Sequence, residues 1–242
     1  MMLTLIISAA VFFAAVLRGL TGFGFALAAV PAMSLVVAPA RAVAIAITLQ
    51  CLVGLRDVVT MRAFMDRQAL VLLSIGALVG TPIGVVALTQ LSPDAMRIVL
   101  ALVVFAGLAA LLARVQLPPN RTPALIAGML SGVFSGLAAM PGPPAIAYFL
   151  GRASGAVATR ASLMVFFFIT SLMTLPGLLI ADRLDRSTVI LAVSALPALL
   201  IGTWAGGRMF TRLGEGGYRT AASVLLAFTA IATGLRGLAA YL

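Results

Sequence analysis

The sequence predicts an all-α polytopic membrane protein: two inverted repeats of about four to five helical segments each, with discontinuous or re-entrant Gly/Pro-broken helices meeting at the midplane. Three observations carry this prediction. Of 242 residues, 63% are hydrophobic and 9% charged, far from the roughly 25% charged of soluble domains. Apolar runs recur along the chain, at 3–17, 25–40, 122–151, 161–181, 187–207 and 220–235, and a bilayer core takes roughly 20 apolar residues per helical span. An uncharged Gly- and Pro-bearing break interrupts this apolar sequence once in each half. The first is Thr21-Gly22-Phe23-Gly24, closed by Pro31; the second runs from Ser135-Gly136 to Met140-Pro141-Gly142-Pro143-Pro144. Non-helical backbone at membrane depth is tolerated only where protein buries it or it lines a cavity.

The two halves overlay. Displaced by 122 residues, Gly80-Thr81-Pro82-Ile83-Gly84 falls on Gly202-Thr203-Trp204-Ala205-Gly206, Leu91 on Leu213 and Arg97 on Arg219. Displaced by 119, Arg41-Ala42 falls on Arg160-Ala161; displaced by 117, Ala15, Gly19 and Gly22 fall on Gly132, Gly136 and Ala139. Small changes in displacement are what loop insertions produce. A tandem duplication follows, with a first transmembrane repeat over 1–116 and a second over 117–242.

In chain order, the first repeat predicts helical segments near 3–17, 24–38, 42–56, 68–89 and 96–113. The second predicts them near 122–135, 143–151, 160–181, 187–208 and 218–239. The leading run has no positive n-region and no small-residue cleavage site, so it reads as part of the mature protein rather than a secretory signal. Segments of ~15 residues rise only ~22 Å, short of the ~30 Å hydrocarbon core, so the pair flanking each break is a re-entrant hairpin or two short sheltered helices. Either choice leaves an odd number of crossings per repeat, which inverts the second copy.

Charge supplies the orientation. All sixteen basic residues are Arg and the net charge is +10. With no folded soluble domain to present a basic face, this charge marks orientation rather than nucleic-acid binding. Tracing the crossings puts Arg56, Arg62, Arg67, Arg114, Arg121, Arg152, Arg208 and Arg212 on one side, and mainly Arg97, Arg183 and Arg186 on the other. The Arg-rich side is expected to be cytoplasmic, with both termini outside. Arg41 and Arg160 are expected at opposite faces, as interfacial anchors or gates.

The breaks are the candidate site. Proline suits the first turn of a helix, so Pro143-Pro144 reads as a helix start after the turn at Gly142, with the matching restart near Gly24. Helix N-termini carry unpaired N–H groups and partial positive charge, which favour anions. The expected anion contacts are Thr21, Gly22, Phe23, Gly24, Phe25, Gln50, Ser135, Gly136, Pro141, Gly142 and Pro143. Gln50 suits an interhelical hydrogen bond equally well, and Arg18 suits either anion attraction or a snorkelling interfacial position. Gly128, Gly132 and Gly136, with the pairs Gly80/Gly84 and Gly202/Gly206, have the spacing that lets helices pack closely.

The acids Asp57, Asp66, Asp94, Asp182, Asp185 and Glu215 all read as loop residues, leaving the spans without a carboxylate for a proton or sodium pathway. No histidine occurs and Cys51 is the sole cysteine, so no metal site and no cofactor is expected. An intramembrane hydrolase built on Ser131 or Ser135 would lack a base; the protein reads as no enzyme.

The stretch Arg18-Gly-Leu-Thr-Gly-Phe-Gly24 with Pro31, and Met140-Pro-Gly-Pro-Pro144 with Tyr148, resemble the TauE/SafE sulfite-exporter family (4-toluene sulfonate uptake permeases). Each half of that family opens with a G-x-G-G-G segment and a proline seven residues beyond its second glycine. Gly22, Gly24 and Pro31 match the first motif, while Phe25 and Ala26 replace its later glycines. Gly142 matches the second, where Ala139 and Pro141 stand in place of glycines. The resemblance implies a multi-pass plasma-membrane transporter (inner membrane in a Gram-negative cell) for sulfite, a sulfonate, a sulfoacetate-like compound or another small organic anion. Export is the expected direction; the alternatives are ion-coupled import of a small organic anion, or a non-transporting membrane subunit or scaffold. The expected partners are the small anion and the lipid bilayer.

Overall fold

A computed structural model describes the backbone of residues 2–113, 115–152 and 155–239, and side chains within them apart from 108, 110–112 and 213–239; Arg114 lies outside the described residues. The chain is helical: α1 (Met2–Thr21), α2 (Phe25–Met33), α3 (Pro39–Met61), α4 (Arg67–Gln90), α5 (Pro93–Leu112), α6 (Arg121–Ala138), α7 (Gly142–Gly151), α8 (Gly155–Ile180) and α9 (Arg186–Ala239). Five helical stretches among the described residues are long and apolar enough to cross a membrane: α1, α3, α4, α8 and the Arg186–Arg212 part of α9.

The breaks fall where the glycines and prolines put them, but the helices around them are unequal. The expected short segment 3–17 continues to Thr21 and reaches 20 residues, enough for about 30 Å. Arg18 does not end it, because a buried carboxylate neutralises that charge. After the breaks, α2 has 9 residues and α7 has 10, each only about 15 Å. Each break therefore joins a long helix to a half-length one, rather than two short ones.

A second departure lies near the C-terminus. The predicted segments 187–208 and 218–239 form one helix of 54 residues. In the first half Pro93 opens α5 after Ser92; it lacks the N–H that would continue α4. Displaced by 122, its counterpart is Glu215, which imposes no such stop. Placing both termini on one side depended on a turn at this point, and the turn is absent.

Glycine faces set the packing. A methyl group added at Gly80 would overlap the carbonyl of Met129, and one at Gly84 the carbonyl of Val133, so α4 and α6 run in the same direction in close contact. Gly202 and Gly206 meet the carbonyls of Phe12 and Val16 in the same way, and α1 and α9 also run in parallel. Reciprocally, Gly136 faces the carbonyl of Thr81, and Gly19 that of Thr203. Every one of these contacts maps onto its partner by the displacements 122 and 117 found in the sequence. Small residues let backbones approach, which replaces the hydrophobic driving force missing between helices in lipid. Gly136 is thus a seam residue of α4 and α6, and not at the opening of the second break.

Polar clasps tie the ends. Arg41 donates from Nε to Thr188 Oγ1 at 3.1 Å and from Nη2 to Ser187 Oγ at 2.6 Å, joining the starts of α3 and α9. Hydrogen bonds from Ser187 and Thr188 hold the Asp185 carboxyl down to about 2. At the other end Asp66 caps α4 through Ala69 N at 3.0 Å and accepts from Arg152 Nε at 2.6 Å.

Candidate functional site

The first break is a turn built from its own residues. Gly22 and Gly24 adopt φ of 80° and 88°, left-handed conformations that glycine reaches without steric cost. The Thr21 hydroxyl lies 2.8 Å from the Leu17 carbonyl and 2.6 Å from that of Phe23, and accepts from Phe23 N at 3.2 Å. Thr21 therefore closes the turn rather than facing open space. A methyl group on Gly22 would meet Arg160 of α8, so this glycine serves close approach between helices. Beyond Gly24 the first helical bond runs from Ala28 N to Gly24 O at 3.1 Å, and no side chain caps the start. The amides of Phe25, Ala26 and Leu27 precede it without a helical acceptor.

The second break solves the same problem differently. Ala139 takes φ 60° at the end of α6, and its N–H donates to Ser135 O at 2.8 Å, the bond of an αL ending, while Met140 N donates to Phe134 O at 3.1 Å. Pro141 precedes α7, again without a side-chain cap. Pro143 and Pro144 have no N–H, so Gly142 supplies the leading amide. A methyl group there would find only ordinary contacts: Ile146 Cδ1 at 3.5 Å, Phe167 Cζ at 3.6 Å and Leu27 Cδ1 at 4.0 Å. Leu27 belongs to the first turn of α2 and Gly142 opens α7. A side-chain carbon from the first turn of α2 therefore reaches the start of α7, across a long separation in sequence.

Each half also ties off the other's break. Arg160 of α8 donates from Nε and Nη2 to Gly19 O at 3.1 and 2.6 Å, placing a cation on the carbonyls that end α1; its guanidinium stacks over Phe210. Gln50 of α3 donates to Ala139 O at 3.4 Å, at the end of α6. Gln50 makes an interhelical bond and Arg160 a helix cap, while Arg41 sits at the α3–α9 clasp. Of the other expected contacts, Phe23 and Phe25 are buried, and Ser135 Oγ pairs with Thr174 Oγ1 at 3.1 Å.

Asp57 corrects the sequence reading most. It lies in α3, 4% exposed, and accepts from Arg18 Nη2; the spans do contain a carboxylate. Arg18 is 3% exposed and therefore not a snorkelling residue. The sequence signal that could have found Asp57 is Arg18 itself, since a buried cation requires a counter-ion. Arg18–Asp57 and Ser135–Thr174 each join residues 39 apart, linking the helix before a break to α3 or α8. The pairings of Thr174 with Ser135 and of Arg152 with Asp66 likewise depend on which helices meet.

Comparisons with known proteins point one way. The family model described as Sulfite exporter TauE/SafE matches residues 7–233. Over 149 residues the chain is 28% identical to the "Probable sulfite/organosulfonate exporter TauE" of Cupriavidus necator, a match covering 59% of this chain and 58% of that protein. The chain thus aligns with little more than half of that relative's length. No solved structure matches it.

Proposed function

The chain belongs to the sulfite exporter TauE/SafE family, and on that premise we propose that it exports a small sulfur-containing or organic anion, such as sulfite, a sulfonate or sulfoacetate, across the plasma membrane (the inner membrane of a Gram-negative cell). One observation carries the reading: α2 and α7 both start without a side-chain cap, and the Leu27 side chain from the first turn of α2 reaches the start of α7 at Gly142. Helix N-termini aimed at one place supply N–H donors and partial positive charge to an anion. In transporters of inverted repeats, half-helix N-termini near the midplane hold anionic groups in this way. Parallel packing of α4 on α6 and of α1 on α9, related by the displacements 122 and 117, supports the inverted repeat. The anion sits between Gly24–Phe25 and Gly142, with Ser135 beside it. The Arg41 clasp and the Arg152–Asp66 clasp, at opposite ends of the bundle, are the places where gates open.

Energetics favour export. One charge moved through 100 mV is worth ~2.3 kcal/mol, so an anion leaves an inside-negative cell downhill without a coupling ion. A second reading, ion-coupled import, draws support from buried Asp57, a carboxylate able to carry a proton. Purified protein in liposomes separates the two. Export predicts flux of sulfite, sulfoacetate or a small carboxylate that accelerates under an inside-negative potential. Flux that ignores the potential and follows a pH gradient supports proton coupling, and no flux of any of these anions defeats the transport reading.

A further inference from the structure

Two cations lie beside the first break among the described residues: Arg160 spends its guanidinium on the Gly19 carbonyl, whereas one terminal nitrogen of Arg18 is unused. The Arg18 carbonyl accepts from the first residue past α1, Gly22 N, at 2.7 Å, so Arg18 sits one turn before the break. The side chain lies 3% exposed between α1 and α3, with Nη2 on Asp57 and Nη1 buried without any hydrogen-bond partner. A buried charged donor left unmatched is among the costliest defects a fold can carry. In a bilayer such residues mark ligand or ion pathways. A purely structural ion pair has no need of the defect. Guanidinium and carboxylate can meet through two parallel bonds, whereas only one donor nitrogen of Arg18 reaches Asp57.

We propose that Arg18 Nη1 is the charged contact for one oxygen of the transported oxyanion, and that Asp57 is its resident counter-ion, orienting the guanidinium and keeping the empty site neutral. This rests on the anion-transport reading above and adds to it the residue that recognises charge. The chemistry selected is an oxyanion head, sulfite- or sulfonate-like or a carboxylate, and not a neutral isostere. Charge recognition is one-sided. The pair with the same 39-residue separation in the second half, Ser135 with Thr174, is a neutral hydroxyl pair. The anionic head therefore takes its charged contact at the first break, and the amide of Gly142 and the hydroxyl of Ser135 supply neutral donors from the second. Asp57 acts through Arg18 and is a positioning residue.

The test uses the full chain purified in detergent, with sulfite as probe, and reads affinity by calorimetry and stability by thermal unfolding. Removing both charges in Arg18→Gln/Asp57→Asn leaves no unpaired ion, so the protein is expected to fold and to bind sulfite about ten- to a hundredfold more weakly, the loss of one charge-assisted hydrogen bond. Asp57→Asn alone frees the guanidinium. Its affinity for sulfite is expected to rise, and sulfite is expected to raise its unfolding temperature by more than it raises that of the wild type, because the anion replaces the missing counter-ion. That second variant decides the matter if the double variant does not fold. Wild-type affinity in the folded double variant, or a sulfite-induced shift in Asp57→Asn no larger than in wild type, overturns the assignment and leaves the transport reading standing. A wild-type protein that binds none of sulfite, sulfoacetate and acetate defeats the transport reading and this assignment with it.

Discussion

Replacing Gly142 tests the second break directly, because the structure separates what a side chain there does to the fold from what it does to the site. The nearest atoms to an added Cβ are side-chain carbons at 3.5, 3.6 and 4.0 Å, from Ile146, Phe167 and Leu27. A methyl group fits, and Gly142 has no left-handed φ to defend. Gly142→Ala should therefore be neutral or stabilise the protein by about 0.5–1 kcal/mol through reduced freedom of the unfolded chain. Gly142→Leu adds three more carbons into an apolar surround and should still fold. Those carbons occupy the space between the starts of α2 and α7 and deny an anion access to the Gly142 amide. Losing one hydrogen bond to a charged group costs about 1.5–3 kcal/mol, roughly ten- to a hundredfold in affinity. Sulfite titration and thermal unfolding of both variants supply the readings. Gly142→Leu that folds like the wild type and binds sulfite with unchanged affinity would remove α7 from the site.

Gly84→Ala is expected to behave in the opposite way: its methyl group meets the backbone of Val133 and Leu137, which cannot rotate aside. Stability should fall by about 1–3 kcal/mol, with sulfite affinity of the folded protein intact; a fully stable variant would contradict the seam geometry. Ala139→Gly relieves a left-handed alanine and should raise stability by about 1 kcal/mol, a gain that thermal unfolding will detect or deny. For topology, single cysteines at Thr60 and Gln90, in a Cys51→Ala background, should react with an impermeant thiol reagent from opposite sides, Thr60 from the cytoplasm. Labelling from the same side would break the assignment of α4 as a full crossing.

Much of this architecture is written locally. Gly22, Gly24 and Pro143-Pro144 fix the breaks by backbone chemistry alone, and the glycine spacings in α4, α6 and α9 become the seams their periodicity implies. The displacements 117 and 122 reappear as contact registers between helices. What escaped was decided by tertiary partners. Arg18 reads as a helix end until Asp57 neutralises it, and Asp57 reads as a loop residue because it lies one position past the segment 42–56, beside Arg56. Arg160 and Gln50 were visible as polar residues, but their use as caps on the opposite half's break depends on which helices meet. The length of α9 is a local matter misjudged: the repeat suggested a turn, whereas only the first half has the proline that makes one.

The central claim, that two helix starts from the two halves hold one anion, is tested most directly by locating that anion. Selenite is the heavier analogue of sulfite, and its selenium is visible by anomalous scattering in crystals of the protein soaked with it. A single buried peak is expected between Gly24–Phe25 and Gly142, within hydrogen-bonding reach of the amides of Phe25 and Gly142. A peak confined to the surface arginines, or none within the bundle of a protein that binds selenite in solution, would contradict it.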